Sequence, residues 1–144
     1  MTKLVDEMDP TYRYIDHTAD LGIEVYGKTL EELFINIGKA IFETQISGKV
    51  DAKEKRKIDL SSESIEDLFI DWCRELLYHF SVHGFIPQKY EVSIKDTSLT
   101  AHVTGDIFDQ NKHTVRMEIK NPTYHNFSLK KTKEQYRATI IFDV

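Results

Sequence analysis

Cysteine is nearly absent. Cys73 is the only one among 144 residues, so no internal disulfide can form and a reducing, cytoplasmic setting is the expectation. Proline and glycine are scarce, at 3 and 6 residues, and no Pro/Gly-rich or low-complexity tract offers a linker between two domains. No apolar run approaches the roughly 18 residues needed to span a bilayer. Residues 1–7 start acidic and lack the apolar core of a signal peptide. An excess of basic charge is also missing. With 19 Lys+Arg against 24 Asp+Glu, the net charge of −5 gives no diffuse pull on phosphate backbones. Any RNA-related role is therefore expected to run through another protein. The common catalytic signatures are lacking too: there is no Gly-rich phosphate loop, no G-x-S-x-G elbow, and no Cys/His cluster of zinc-site spacing.

What is present reads as one soluble domain over residues 11–144, preceded by a polar leader, residues 1–10, that ends in Asp9-Pro10. Tyr12-Arg13-Tyr14-Ile15 suggests a short strand. It runs into the polar turn Asp16-His17-Thr18-Ala19-Asp20, after which Leu21, Ile23 and Val25 alternate as in a strand closed by Gly27. Thr29-Leu30-Glu31-Glu32 is a capping box. Leu30, Leu33, Phe34, Ile37 and Ile41 continue it at helical spacing, with Gly48 as the expected stop. The charged stretch 55–60 predicts an edge strand. Ser61, Ser62 and Ser64 offer caps for a second helix with the stripe Leu68, Phe69, Trp72, Leu76 and Phe80, stopped by Gly84. Strand patterns then dominate: 90–94 and 99–103 joined across Asp96-Thr97-Ser98, a strand over 115–119, a short one at 127–129, and a last one over residues 136–144. Two helices early, strands late and no regular βαβ alternation predict an α+β fold with a mostly antiparallel or mixed sheet.

Few residues carry a chemical suggestion. Cys73 beside Trp72 on a helix suits a buried inert thiol. His79 and His83 share a helix face and make a soft metal pair, or else simply suit a helix end. The lysines of 53–57 and of 130–133 suit solvated edges and turns. Two carboxylates stand out. Asp20 ends a turn just before a strand, and Asp143 is the penultimate residue of a chain that stops on a strand. If sheet pairing fixes Val144, its terminal carboxylate and Asp143 set two negative groups close together. A third from Asp20 would make a cluster of hard oxygens suited to Mg²⁺, Ca²⁺ or Mn²⁺. The alternatives are a turn cap at Asp20 and a solvated strand end at Asp143.

The segment Tyr14-Ile15-Asp16-His17-Thr18-Ala19-Asp20-Leu21-Gly22-Ile23 closely resembles the H-T-A-D signature of the archease family. Gly27-Lys28-Thr29-Leu30-Glu31-Glu32-Leu33-Phe34 is similar to its first helix entry. Glu118-Ile119-Lys120 followed by Thr123-Tyr124-His125 is similar to its E-V-K…T-Y-H segment, and Ile141-Phe142-Asp143-Val144 to its ending. One departure is Asn121-Pro122, where the family has two small apolar residues. Pro122 removes a backbone donor and predicts a bend or an early end of the strand after Lys120.

The resemblance implies a non-catalytic, metal-binding activator of an RtcB-type RNA ligase in tRNA splicing. Such an activator promotes the ligase's guanylylation and multiple turnover. The resemblance also implies a link, in some relatives, to a tRNA cytosine methyltransferase. It assigns a divalent metal (Ca²⁺, Mn²⁺ or Mg²⁺) to Asp20, Asp143 and Val144. It assigns partner or phosphate contact to Lys120, with His17 and His125 as the histidines of the two motif segments. A metal-dependent hydrolase using Asp20, Asp143 and His17 is the remaining alternative.

Overall fold

The computed structural model describes residues 11–15 and 20–144. The expected leader and His17 lie outside the described residues. Among the latter there are two helices and nine strands, and every strand pair is antiparallel. The α+β expectation therefore holds.

The first sheet has the order β1-β2-β9-β8, built from β1 (Tyr12–Ile15), β2 (Leu21–Gly27), β9 (Tyr136–Asp143) and β8 (Asn121–Lys131). The second has the order β4-β6-β5, from β4 (Glu54–Ser61), β6 (Ser98–Ile107) and β5 (Phe85–Lys95). As its charges suggested, β4 is an edge. A two-stranded ribbon joins β3 (Ile46–Ser47) to β7 (Thr114–Val115).

Helix α1 (Leu30–Gln45) begins at the predicted box. Thr29 Oγ1 accepts from the Glu32 N–H at 3.0 Å, and Glu32 Oε1 accepts from the Lys28 N–H at 3.0 Å. Just before it, a Cβ on Gly27 would fall 2.4 Å from the Leu33 nitrogen, so only glycine lets β2 end so close to the first helical turn. The helix does not run on to Gly48. It stops at Gln45 because Ile46 is already extended and pairs with Val115. Helix α2 (Ile65–His83) is capped by Ser64 and closed by Gly84 in the left-handed region at φ 68°, as predicted.

Both helices face inward with apolar stripes, and Leu33, Phe34, Ile37, Leu68, Phe69, Trp72 and Leu76 are fully buried. The Trp72 indole N–H donates to the Phe34 carbonyl at 2.8 Å, tying α2 to α1. Cys73 is wholly enclosed, and burial pushes its thiol pKa up, which leaves it inert.

The strand predicted over 115–119 shrinks to Thr114–Val115. Its alternation is only half real, since Val115 and Met117 are exposed and Ile119 is buried. Polar groups at the end of α1 replace the missing ladder. The Gln45 carbonyl accepts from the Arg116 N–H at 2.7 Å, and its side-chain Oε1 accepts from the Ile119 N–H at 2.9 Å. Pro122 does not end a strand; β8 starts one residue before it. Because β8 is a sheet edge, a missing donor is tolerated there.

Candidate functional site

The last residues of β9 are paired on both sides. Toward β2 the register ends with Leu21 opposite Phe142, so Asp20, the residue before β2, stands at the same end of the sheet as Asp143. Toward β8, Asn121 is opposite Asp143, and the Lys120 N–H donates to the Asp143 carbonyl at 2.8 Å. Directly opposed positions in antiparallel strands share a face, with Cβ atoms about 5 Å apart. Thus Asp20, Lys120, Asn121 and Asp143, far apart in sequence, meet at one end of the first sheet.

Tertiary structure fixes this end firmly. Ile140, Ile141 and Phe142 are all buried, so β9 is held on both faces until Asp143 emerges. On the β8 side, Thr123 Oγ1 donates to the Ile141 carbonyl at 2.8 Å. Lys120 is exposed, as the alternation with Ile119 implied. Sheet pairing stops at Asp143, so Val144 lies one residue beyond the strand and is 41% exposed.

His125 is on a different part of β8. Between Thr123 and Ser128 the register shifts, and Asn126 takes a left-handed φ of 55°. This bulge turns toward α2. The Tyr124 hydroxyl donates to Asp67 Oδ1 at 2.6 Å, and the Phe127 ring lies 5.6 Å from that of Phe69. Hydrogen bonding to Asp67 pushes the Tyr124 phenol up to about 12. His125 is exposed on the bulge, 3.5 Å from the Asn126 side chain.

Beside Lys120 opens a cleft of about 330 Å³. Arg74, Tyr78 and Ser81 of α2 form one wall, and Glu118, Lys120 and Asn121 form the other. The sequence motifs give no hint of Arg74 or Tyr78, which belong to the exposed face of α2 and carry no motif of their own. The offsets 74, 78 and 81 on one helix were the only available signal.

The donor set at the strand end is all oxygen. Among the described residues no three His, Cys, Asp or Glu side chains group to hold a metal ion. Asp20 and Asp143 supply two carboxylates, and the Asp143 carboxylate has no hydrogen bond or ion pair among the described residues. In chemistry these groups fit a hard cation that completes its shell with main-chain oxygen, water or a partner's ligands.

A charged cluster elsewhere is of another kind. Asp106 is buried beside β6's end, where Lys112 Nζ lies 2.7 Å from its Oδ2 and 3.0 Å from Asp51 Oδ2. The Asp51 and Ile107 N–H groups also donate to Asp106. The Lys112 ammonium, followed by the Asp51 N–H, holds the Asp106 carboxyl well below the usual carboxylate range. His113 completes the loop: its Nδ1 accepts from the Asp109 N–H at 3.0 Å, and its Nε2 lies 2.8 Å from the Lys49 carbonyl. This network staples the 108–113 loop to residues 49–51.

Comparison with known proteins places these features. Residues 12–144 match the model of the archease protein family (MTH1598/TM1083). Protein archease of Methanosarcina barkeri is 35% identical over 139 residues, covering 92% of this chain and 95% of the relative. That of Sulfurisphaera tokodaii is 32% identical over 136 residues, covering 92% and 98%. The solution structure of Methanobacterium thermoautotrophicum protein 1598 superposes with a TM-score of 0.78 at 31% identity, covering 93% of this chain and 99% of that one. The crystal structure of a Thermotoga maritima archease, described as a possible chaperone, shares the fold with a TM-score of 0.65 at 23% identity, covering 90% and 94%. By its sequence across nearly its whole length and by its fold, the chain belongs to the archease family.

Proposed function

We propose that this protein is a non-catalytic, metal-binding activator of an RtcB-type RNA ligase in tRNA splicing, acting in the cytoplasm and touching RNA only through that partner. The observation that carries the reading is the convergence on Asp143. Asp20 stands just before β2, and the cationic Lys120 just before β8, on the two flanks of the strand that ends in Asp143. Asp20 and Asp143, with main-chain oxygen at Val144, would hold a divalent cation (Ca²⁺, Mn²⁺ or Mg²⁺). When bound, such an ion supplies charge neutralisation and orientation for phosphate oxygens.

The chain's own residues do the rest. Asp143 is the last paired residue of β9 and Val144 lies one beyond it; both are exposed, where a partner surface can reach them. Lys120 stands beside them as an exposed ammonium able to meet a ligase carboxylate or a phosphate. His125 and His17 are carried as further partner contacts; His125 is solvent-exposed on its bulge. Neither a nucleophile nor a base is required in an activator, because the nucleotidyl chemistry belongs to the ligase.

A multiple-turnover ligation time course with the cognate ligase and excess RNA tests this. Wild-type protein should raise turnover, and Asp20→Ala and Asp143→Ala should each abolish the stimulation. Full stimulation by both folded variants would overturn the metal-dependent mechanism.

A second reading is favoured by the exposed apolar side chains of α2, Tyr78 at 51% and Val82 at 55%, and by the chaperone description of the Thermotoga relative. In it the protein is a chaperone-like modulator of a tRNA cytosine methyltransferase. That role requires neither Asp20 nor Asp143, so the same two variants separate it from the first. A hydrolase using Asp20, Asp143 and His17 is separated by assaying the protein without any ligase.

A further inference from the structure

A second feature of α2 lies outside the strand-end site. His79 and His83 occupy successive turns of one face, with ring centroids 6.1 Å apart and planes inclined at 42°. Tyr78 contacts both rings edge-on, at 5.9 Å to His79 and 6.1 Å to His83. Phe85 closes the far side of His79 at 6.4 Å, and the Arg56 guanidinium stacks over Phe85 at 4.8 Å. A last-turn imidazole suits the negative end of a helix, and that accounts for His83. It does not account for His79, whose Nδ1 is buried without a hydrogen-bond partner. The Gly84 N–H does not serve it, because it donates to the His79 and Phe80 carbonyls. An orphaned buried nitrogen is costly, and native structures seldom keep one without a use.

We propose that His79 and His83 form a two-imidazole chelate for a borderline transition-metal ion, of the Zn²⁺, Ni²⁺ or Cu²⁺ class, separate from the oxygen-donor site at Asp20 and Asp143. Imidazole nitrogens favour these ions, whereas Ca²⁺ and Mg²⁺ favour oxygen. Zinc–nitrogen bonds of about 2.0–2.1 Å require the two rings to converge slightly. His83 is exposed and free to turn on its side-chain bonds. Glu75, one turn before His79 on the same face, adds negative charge, and Arg56 opposes it from β4. Since no third His, Cys, Asp or Glu joins the pair among the described residues, water completes the coordination shell. The ion is consequently held in the micromolar rather than the structural range, and exchanges freely.

This inference is independent of the ligase reading and is tested on the full chain without a partner. Zn²⁺ is titrated against a chromophoric chelator into the wild type, His83→Ala, His79→Gln and Asp143→Ala, with folding checked by circular dichroism. The wild type and Asp143→Ala should bind one Zn²⁺ equally, and His83→Ala should bind at least about tenfold more weakly. Electron paramagnetic resonance of the Cu²⁺ form should show two coordinating nitrogens in the wild type and one in His83→Ala. Because His83 is exposed, that variant keeps its fold even if His79→Gln does not. Undiminished Zn²⁺ binding by His83→Ala, no wild-type binding at submillimolar Zn²⁺, or loss of the same site in Asp143→Ala would each overturn the proposal.

Discussion

Two pairs of aspartates lie at or near strand ends in the two sheets, and the protein treats Asp106 and Asp143 in opposite ways. Asp106, at the end of β6, is buried and satisfied by Lys112 and by two backbone N–H groups, with Asp51 sharing the same lysine. Asp143, at the end of β9, is exposed and its carboxylate has no protein partner among the described residues. The first pair is consumed in holding a loop. In the second, the Asp143 carboxylate contributes nothing evident to the fold, although β2 and β8 both flank the strand that carries it. Identical side chains thus act as structure or as a candidate ligand site according to whether a cation is built in. The contrast also guards against reading every acidic cluster as a metal site.

The sharpest way to break this comparison is to exchange function for stability at the two places. Asp143→Ala and Asp20→Ala should eliminate ligase stimulation. For Asp143→Ala the folding free energy should stay within about 0.5 kcal/mol of wild type, as for most surface changes. Chemical denaturation run beside the ligation assay gives both readouts. A large stability loss in Asp143→Ala would show that this carboxylate also serves the fold.

Asp106→Asn should do the reverse. Removing the charge weakens the bonds from Lys112 and from the Asp51 N–H, at a cost of about 2 kcal/mol, and ligase stimulation by the folded fraction should persist. The pH dependence follows the same logic. A carboxyl held below its unfolded value stabilises the folded state above that value, near pH 3.9. The contribution fades as the pH falls from there through the lower folded value. Denaturation midpoints between pH 6 and pH 3 should therefore fall less steeply in Asp106→Asn than in wild type. Parallel acid limbs would mean that Asp106 is no special contributor.

A smaller effect is expected at Lys120. Its backbone N–H, not its side chain, bonds to Asp143, so Lys120→Ala leaves the β8–β9 pairing in place. Stimulation should drop about fivefold, the scale of one exposed charge contact, with divalent-metal affinity unchanged. Unaltered multiple-turnover ligation would remove Lys120 from the site.

Much of this was legible in the sequence where local chemistry decides structure. The Thr29–Glu32 box, the Ser64 cap, Gly84 and the alternation of β2 and β9 each act over a few residues, and each appears where expected. Residues 115–119 misled because a period-2 pattern records side chains and says nothing of what satisfies the backbone. There the partner is Gln45, more than seventy positions away. The bulge of β8 was hidden for a similar reason, since Tyr124 and Phe127 leave the ladder to pack on α2. The candidate site itself was visible as residue types, Asp20 and Asp143. Their meeting, and the arrival of Lys120 beside them, depends on the register of β2 and β8 on β9, which only the fold supplies.

The register also permits the finest test of the comparison, at Val144. Pairing ends at Asp143, so the last residue is positioned by its neighbour rather than by a ladder of its own. If oxygen from Val144 joins Asp20 and Asp143 around a cation, adding residues after it converts a charged carboxylate into a neutral amide. It also forces new chain past Lys120, which the register sets opposite. Affinity at oxygen sites depends on ligand charge count, so the extended protein should bind Ca²⁺ and Mn²⁺ about threefold or more weakly. Ligase stimulation should decline with it. An equal extension before residue 1 should change neither, and the Asp106 network should be indifferent to both, leaving the denaturation midpoint where it was. Calorimetric titration of Ca²⁺ and Mn²⁺ into the two extended forms, with ligation assays on the same samples, supplies the measurement. Equal affinity and equal stimulation would show that Val144 is only the residue after a strand, and would leave Asp20 and Asp143 as the site's sole acidic contribution from this chain.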